Sequence, residues 1–266
     1  IVNPTAGAHN AARLWPLIQQ RLAQRGVRFD AVLTEAPGHA ITLARDAATA
    51  GYSTIVSVGG DGTLNEVVNG VMTTPTPQDA TVAVVPVGTG GDFVRMLGLP
   101  RLWTDACDRL TSTSTHMVDV GELTYVGAAG EEHRYFINVA GLGFDGEVAA
   151  RTNASPVKRL GGTLPFVTNL VLTLVTYNNK DVTVSIDDQQ RPGRMNSVIV
   201  ANGQWFGGGM WISPNSSADD GVFDVIVIGD VGKLELLQTM PRLYKGTHLT
   251  HPKVAAARAH SVRVVS

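Results

Sequence analysis

The sequence predicts an α/β domain built on a parallel sheet, followed by an antiparallel β-rich domain. Three observations lead there. Through residue 114, apolar strand-like runs alternate with amphipathic helical patterns, the order that generates a parallel sheet. From about Thr115 strand-like runs follow one another, joined by turns rich in Gly, Asp and Asn. Within the first part, two strands each run straight into a glycine turn and then a helix. The expected domains are therefore residues 1–114 and 115–266. No long linker, low-complexity tract or short-period repeat separates them.

Taken in order, the chain opens on the apolar Ile1 and Val2, read as part of a strand. "LWPLIQQRLAQRG" sets Leu14, Ile18 and Leu22 on one helical stripe, with Gly26 as terminator. "VRFDAVLT" alternates like a strand, and a helix is expected from His39 to Ala50, ending at Gly51. "TIVSV" and "TVAVVPVG" are buried strands on either side of a loop from Thr73 to Gln78. In the second domain "HMVDVGELTYV", "EHRYFINVAGLGF", "KDVTVSIDD", "MNSVIVANG" and "GVFDVIVIG" read as strands. Helices are expected from about Gly162 to Tyr177 and from Lys233 to Tyr244.

Composition narrows the function classes. A 266-residue chain with 44% hydrophobic and 17% charged residues has a globular core's makings. A net charge of -2 and a pI near 6.4 supply no global attraction to nucleic acid, and no such partner is expected. The single Cys107 forms no internal disulfide, and no cysteine metal motif or secretory signal is present, which suits a reducing, cytoplasmic setting. The longest apolar stretch, Thr163 to Tyr177, is interrupted by Pro, Asn and Thr and falls short of the ~20 residues of a membrane span. Its Leu164, Val167, Val171, Leu174 and Val175 recur at helical spacing, as in a buried helix or in one with a stripe toward a membrane surface. The start at Ile1, without methionine, and the stop at Ser266 inside an apolar run both read as cuts.

The glycine turns carry the chemistry. "VSVGGDGTLNEV" and "AVVPVGTGGDFVRML" share one design, and Thr63 with Glu66, like Thr89 with Asp92, has capping-box spacing. Glycine lets backbone N–H groups come close to a ligand, and a helix start adds unpaired donors and positive dipole, a combination suited to phosphate. The plain alternative is a pair of well-capped strand-to-helix turns. Two of them at the carboxyl edge of one parallel sheet favour a ligand site. Neither is a Walker A loop or a dinucleotide G-x-G-x-x-G. Asp61, an anion among such amides, is either a turn residue or the holder of a Mg²⁺ that bridges to phosphates.

"GGDGTLNEVVNG" followed by "PVGTGGDF" resembles the catalytic domain of bacterial lipid kinases related to diacylglycerol and sphingosine kinases. "NPTAG", "VDVG", "FINVAGLGFDGEV", "VANGQWFGGGM" and "PNSSADDGVFDVIVI" extend the resemblance over almost the whole chain. GGDGT alone is shared with NAD kinases and phosphofructokinases; the ordered set is specific. The resemblance implies a phosphofructokinase/NAD-kinase-like first domain and ATP-dependent phosphorylation of a diacylglycerol-like lipid hydroxyl, with ATP and Mg²⁺ as cofactors. It places the nucleotide on Asn3, Thr34, Gly59, Gly60, Asp61, Gly62, Thr63, Leu64, Asn65, Gly88 and Thr89. Asp61 would serve the catalytic magnesium and Asp119 would support it through water. Arg95 would sit nearby, or pair with Asp92 at i,i+3.

"SSADDGVFD" resembles the family's structural metal loop, with Ser217, Asp220 and the Val222 carbonyl at the ligand positions; a β-turn at Asp220-Gly221 is the alternative. His248 and His251 read as loop residues. The family's general base, a glutamate in a D-G-E stretch near the C-terminus, has no counterpart after "ARAHSVRVVS", and is expected beyond Ser266. "FDGEV" spells similar letters within another motif, so Glu147 is not taken as the base. The segments Gly161 to Tyr177 and Trp205 to Trp211 could offer greasy surface to a lipid substrate or pack in the core. The resemblance implies a lipid substrate and transient contact with a membrane surface, peripherally from the cytoplasm; a homodimer is compatible. Two other functions stay open: an NAD-kinase-like enzyme, which "GTGGDF" and "ANGQWFGGGM" oppose, and a nucleotide- or lipid-binding protein without catalysis. Diacylglycerol, a sphingoid base, a prenol and phosphatidylglycerol all offer a primary hydroxyl on an apolar tail, and the sequence does not choose among them.

Overall fold

The computed structural model describes residues 1–128, 130–154 and 164–266, with side-chain surroundings outside 153–167. They form two compact units, Ile1–Ile137 and Asn138–Ser266.

In the first unit, α1 (Asn10–Gln24) and α2 (His39–Thr49) precede β1 (Thr54–Gly59), α3 (Asp61–Met72), β2 (Thr81–Pro86), α4 (Asp92–Met96) and α5 (Trp103–Arg109). β1 and β2 pair in parallel from Thr54↔Thr81 to Gly59↔Pro86. Val2 makes parallel bridges to both Leu33 and Val58, so the expected strand "VRFDAVLT" contributes a single bridged position. Side chains alternate across this sheet. Val2, Val58 and Val85 face Ile18 and Leu22 of α1 and Ala106 and Cys107 of α5. Ile55 and Val82 face Ala40 and Ala44 of α2 and Val67 and Val71 of α3. The result is the three-layer sandwich that alternating elements demand. Burial pushes the Cys107 thiol up to about 11, which marks it as a core residue without nucleophilic use.

β3 (Gly121–Gly127) and β4 (Gly130–Phe136) form an antiparallel hairpin. Its texture is what draws the expected boundary near residue 115, yet it packs with the first unit. Buried Asn69 of α3 donates to the Tyr135 carbonyl at 2.8 Å and accepts from the Tyr135 N–H at 2.9 Å. Val118, Val120 and Ile137 share a cluster with Leu64, Val68 and Phe93. Strand texture reports how a backbone pairs, not which core it serves.

The second unit runs β5 (Val139–Gly143), α6 (Phe144–Ala154), α7 (Leu164–Thr176), β6 (Lys180–Ile186), β7 (Gln189–Met195), β8 (Ser197–Ala201), β9 (Trp205–Phe206), β10 (Met210–Trp211), β11 (Phe223–Ile228), α8 (Lys233–Lys245), β12 (Val254–Ala259) and β13 (Val262–Val265). One sheet has the order β12-β11-β8-β5, another β13-β6-β7, both antiparallel. Val198, Val225 and Val227 pack on Val184 and Ile186 of the second sheet. Their neighbours Ile199, Ala201, Ile226 and Ile228 turn the other way, against Phe144 and Val148 of α6, Leu174 of α7 and Leu236 of α8. All of β8 is therefore buried.

Several expectations shift here. "EHRYFINVAGLGF" is two strands, β4 and β5, leading into a helix, α6, that the strand-like texture hides. β7 escapes sequence reading because "QQRPGRM" is polar and exposed, and Pro192 is tolerated on an edge strand. The expected helix start at Gly162, with Gly161 and Thr163, lies outside the described residues. "WFGGGMW" is a small hairpin in which Trp205 and Trp211 stack at 5.6 Å, half-buried, with Met210 in the core, so core packing is what the segment does. No helix among the described residues is long and apolar enough to cross a membrane.

Candidate functional site

β1 delivers the chain through Gly60 into α3, and β2 delivers it through Val87–Gly91 into α4. Since the two strands are parallel neighbours in register, both turns leave the same sheet edge side by side. Val87 N–H donates to the Gly59 carbonyl at 2.9 Å. A Cβ added at Gly88 would lie 2.6 Å from the Gly60 Cα, so these glycines let turn pack on turn. A Cβ added at Gly62 would meet nothing within 4 Å. Gly62 thus fronts open space, one residue into a helix whose first amides have no acceptor of their own. Leu64 N–H is the first to bond back, to Gly60 O at 3.0 Å.

Neither capping box forms. α3 starts at Asp61, which places Thr63 inside the helix, where its Oγ1 accepts from Asn3 Nδ2 at 2.9 Å. Glu66 instead accepts the Gly38 N–H at 3.0 Å, at the start of α2. α4 starts at Asp92 behind Gly91, whose φ of 76° few other residues adopt, and leaves Thr89 exposed outside it. What caps α4 is Asp61, reaching across from the other turn. Its Oδ2 accepts from Gly91 N at 2.9 Å and Asp92 N at 3.2 Å, and its Oδ1 from Phe93 N at 3.3 Å. A carboxylate on those amides is a charge-assisted cap and complements the helix dipole. Asp61, itself the first residue of α3, thus ties the two turns together.

The expected residues gather unevenly. Asn3 and Thr63 are in contact, and Thr34 is tied to the same strand by its N–H to Val2 O at 2.8 Å. Gly59, Gly60, Asp61, Leu64 and Gly88 line the seam between the turns, a space of only about 10 Å³. That is at the lower limit for one water, so any ligand must sit outside the seam. Beside it, α2, α3 and β4 border an open depression of about 360 Å³ lined by Gly38, Ile41, Asn65, Glu66, Asn69 and Arg134. Its size falls in the roughly 300–1,000 Å³ range of small-molecule sites. Asp119 lies between Val118 and Val120, which pack on the cluster holding Leu64 and Phe93. Arg95 pairs with Asp92 at 3.6 Å, the i,i+3 option. Asp92 is a buried carboxylate in the first turn of α4.

Among the described residues, no three His, Cys, Asp or Glu side chains cluster as a metal cage. Magnesium fits such a place, since it is commonly held by one or two carboxylates together with substrate phosphates. Asp61 spends three N–H bonds against roughly four acceptor positions, so it retains capacity for a hard cation. The second loop does not fit a metal. Asp220 accepts from Val222 N at 3.3 Å and from the Arg258 guanidinium, Gly221 has φ 73°, and the Ser217 hydroxyl donates to Asp219. An arginine occupies the carboxylate that a cation would need, and the turn at Asp220-Gly221 is what forms. His248 is a core residue, with Nε2 2.9 Å from Ile212 O, and burial lowers its pKa. Glu147 is ion-paired with Arg151 at 2.7 Å.

A parallel α/β unit with paired glycine turns at one sheet edge, followed by an antiparallel two-sheet unit, defines a two-unit protein with a candidate phosphate site in the first. Residues 1–123 match the diacylglycerol kinase catalytic domain, and residues 138–266 match the YegS C-terminal NAD kinase beta sandwich-like domain. The diacylglycerol kinase of Staphylococcus carnosus is 31% identical over 100% of this chain and 83% of its own length. That of Staphylococcus epidermidis is 32% identical over 100% of this chain and 81% of its own. A crystal structure of a diacylglycerol kinase from Bacillus anthracis superposes with a TM-score of 0.71 at 23% identity, covering 99% of this chain and 83% of that one, a likeness of fold. The chain belongs to the diacylglycerol kinase family.

Proposed function

We propose that this protein transfers the γ-phosphoryl group of ATP to the hydroxyl of a diacylglycerol-like lipid. The observation that carries the reading is the pair of glycine turns on one sheet edge, with Gly62 facing open space at the start of α3. There the free amides of a helix N-terminus suit phosphate oxygens. The adjoining pocket beside Asn65, Asn69 and Arg134 has room for the remainder of a nucleotide. Asn3 fixes Thr63, and Asp61 fixes the second turn, so these groups are ordered before any ligand arrives. Phosphoryl transfer asks chiefly for such positioning together with charge neutralisation. Bound magnesium would supply the neutralisation, with Asp61 the carboxylate to hold it and Asp119, by the family resemblance, the one to support it. The acceptor's apolar tail implies work at a membrane surface from the cytoplasmic side.

The test is incubation of the protein with labelled ATP, Mg²⁺ and a panel of lipid alcohols, with NAD as a competing acceptor. Labelled phospholipid is expected, and Asp61→Ala should abolish it while a thermal melt still shows a cooperative transition. Label on NAD, or full turnover by Asp61→Ala, would overturn the assignment.

A further inference from the structure

Two helices of the second unit leave apolar side chains in solvent. On α7, Val171, Leu172 and Val175 are 53%, 51% and 63% exposed; on α8, Leu234, Leu237 and Tyr244 are 69%, 52% and 54% exposed. The two sets adjoin, because the Lys233 ammonium donates to the Val175 carbonyl, which brings the first turn of α8 to the last turn of α7. At 100° per residue, Leu234, Leu237, Pro241 and Tyr244 fall within one sector of α8, whereas Leu236 and Leu243 point into the core. α8 is thus apolar on two sides, one spent on the core and one not.

Charge says what covers the second side. Exposed Lys245 borders the stripe and exposed Arg242 lies beyond it, while Lys233 is held by the Val175 carbonyl. The helix's single carboxylate, Glu235, lies on the same side of α8 as Arg242 and is already engaged, accepting from Gly232 N–H and Lys253 and facing His251. Asp230, just before the helix, bonds Asn179 and faces Arg194 at 3.7 Å. α7 carries no charged residue at all between Leu164 and Thr176. An exposed apolar stripe bordered by a lysine, with an arginine beyond it and the one carboxylate already paired, is the pattern of a helix that lies in the headgroup region of an anionic bilayer.

We propose that the outer faces of α7 and α8 form the surface by which this unit seats on an anionic lipid bilayer. The choice of a bilayer as occupant rests on the lipid-acceptor reading above. Leu234, Leu237 and Tyr244 enter the acyl boundary, and Arg242 and Lys245 meet headgroup phosphates.

Flotation of the whole protein with vesicles of phosphatidylcholine alone, or mixed equally with phosphatidylglycerol, tests this. Binding is expected to the mixed vesicles and to fall between about 0.1 M and about 1 M NaCl. The pair Leu234→Gln with Leu237→Gln should lower the partition coefficient about tenfold or more. Arg242→Gln with Lys245→Gln should lower it about tenfold on the mixed vesicles only. These positions are in solvent, and circular dichroism melts check that the variants stay folded. Transfer to a short-chain diacylglycerol in free solution should be unchanged in both pairs, and its absence in the wild type would sink the kinase reading without touching the vesicle result. No wild-type binding to either vesicle, or variants that float like the wild type, would overturn the proposal. So would an ultracentrifugation result in which the leucine pair dissociates a dimer while vesicle binding persists, since the stripe would then face a second copy.

Discussion

Gly60 and Gly88 meet backbone to backbone, while Gly62 meets nothing, and this difference separates two uses of glycine within one motif. Alanine at Gly88 cannot be placed without moving the adjoining turn, so Gly88→Ala should lower both the melting temperature and the affinity for MgATP. Alanine at Gly62 has room and a better helix propensity, so Gly62→Ala should keep or raise stability, by up to about 1 kcal/mol. Its methyl group would nonetheless crowd the phosphate side, and affinity should fall. Melting curves and calorimetry on both variants test the pair. Equal affinity of Gly62→Ala and the wild type would move the phosphates off the start of α3. At this scale the sequence was legible in kind and not in detail, because Gly-Gly-Asp-Gly-Thr announces a tight turn without saying which glycine faces a ligand.

Among the elements, α3 does the most joining. Its Asn65 opens onto the pocket, its Asp61 caps α4, and its Asn69 pairs with the backbone of β4 as a further strand would. Asn69→Ala would leave the half-buried Tyr135 N–H and carbonyl without this partner, at up to about 1 kcal/mol for each group, since water can reach them in part. Urea denaturation should show that loss, and exchange of the Tyr135 amide should accelerate well before global unfolding. An unchanged midpoint would mean that the hairpin is held by its apolar side alone. Helix periodicity revealed α1, α2 and α8, since each buries one stripe, whereas α3, buried on two sides, was announced by the glycine turn before it. It missed α6, where buried Phe144 and Val148 lie among glycine and acidic residues that mimic a turn.

At the scale of the whole molecule, the α/β part and the β-rich part were both readable because their hydrophobic periods differ, 3.6 against 2. Which core the β3–β4 hairpin serves was not, because that depends on Asn69, far away in sequence. The paired turns were readable for the same reason as the fold, whereas Asp61's reach across them and Arg258's hold on Asp220 belong to tertiary structure. Stability should also depend on pH through His248. Its burial lowers the folded pKa below the ordinary 6.5, so the unfolded chain binds the proton more readily. The stabilisation is complete above that ordinary value and drains away as pH falls toward the folded one. His248→Gln should flatten this part of a denaturation midpoint against pH, and an unaltered slope would assign it to another group. Asp61 carries a consequence for both turns at once: a carboxylate already holding three amides has little slack, so any pull on it at the first loop must be felt at the second. Filling the near side of this edge would slacken the far side, and the short helix behind it would register whether the cradle is full or bare.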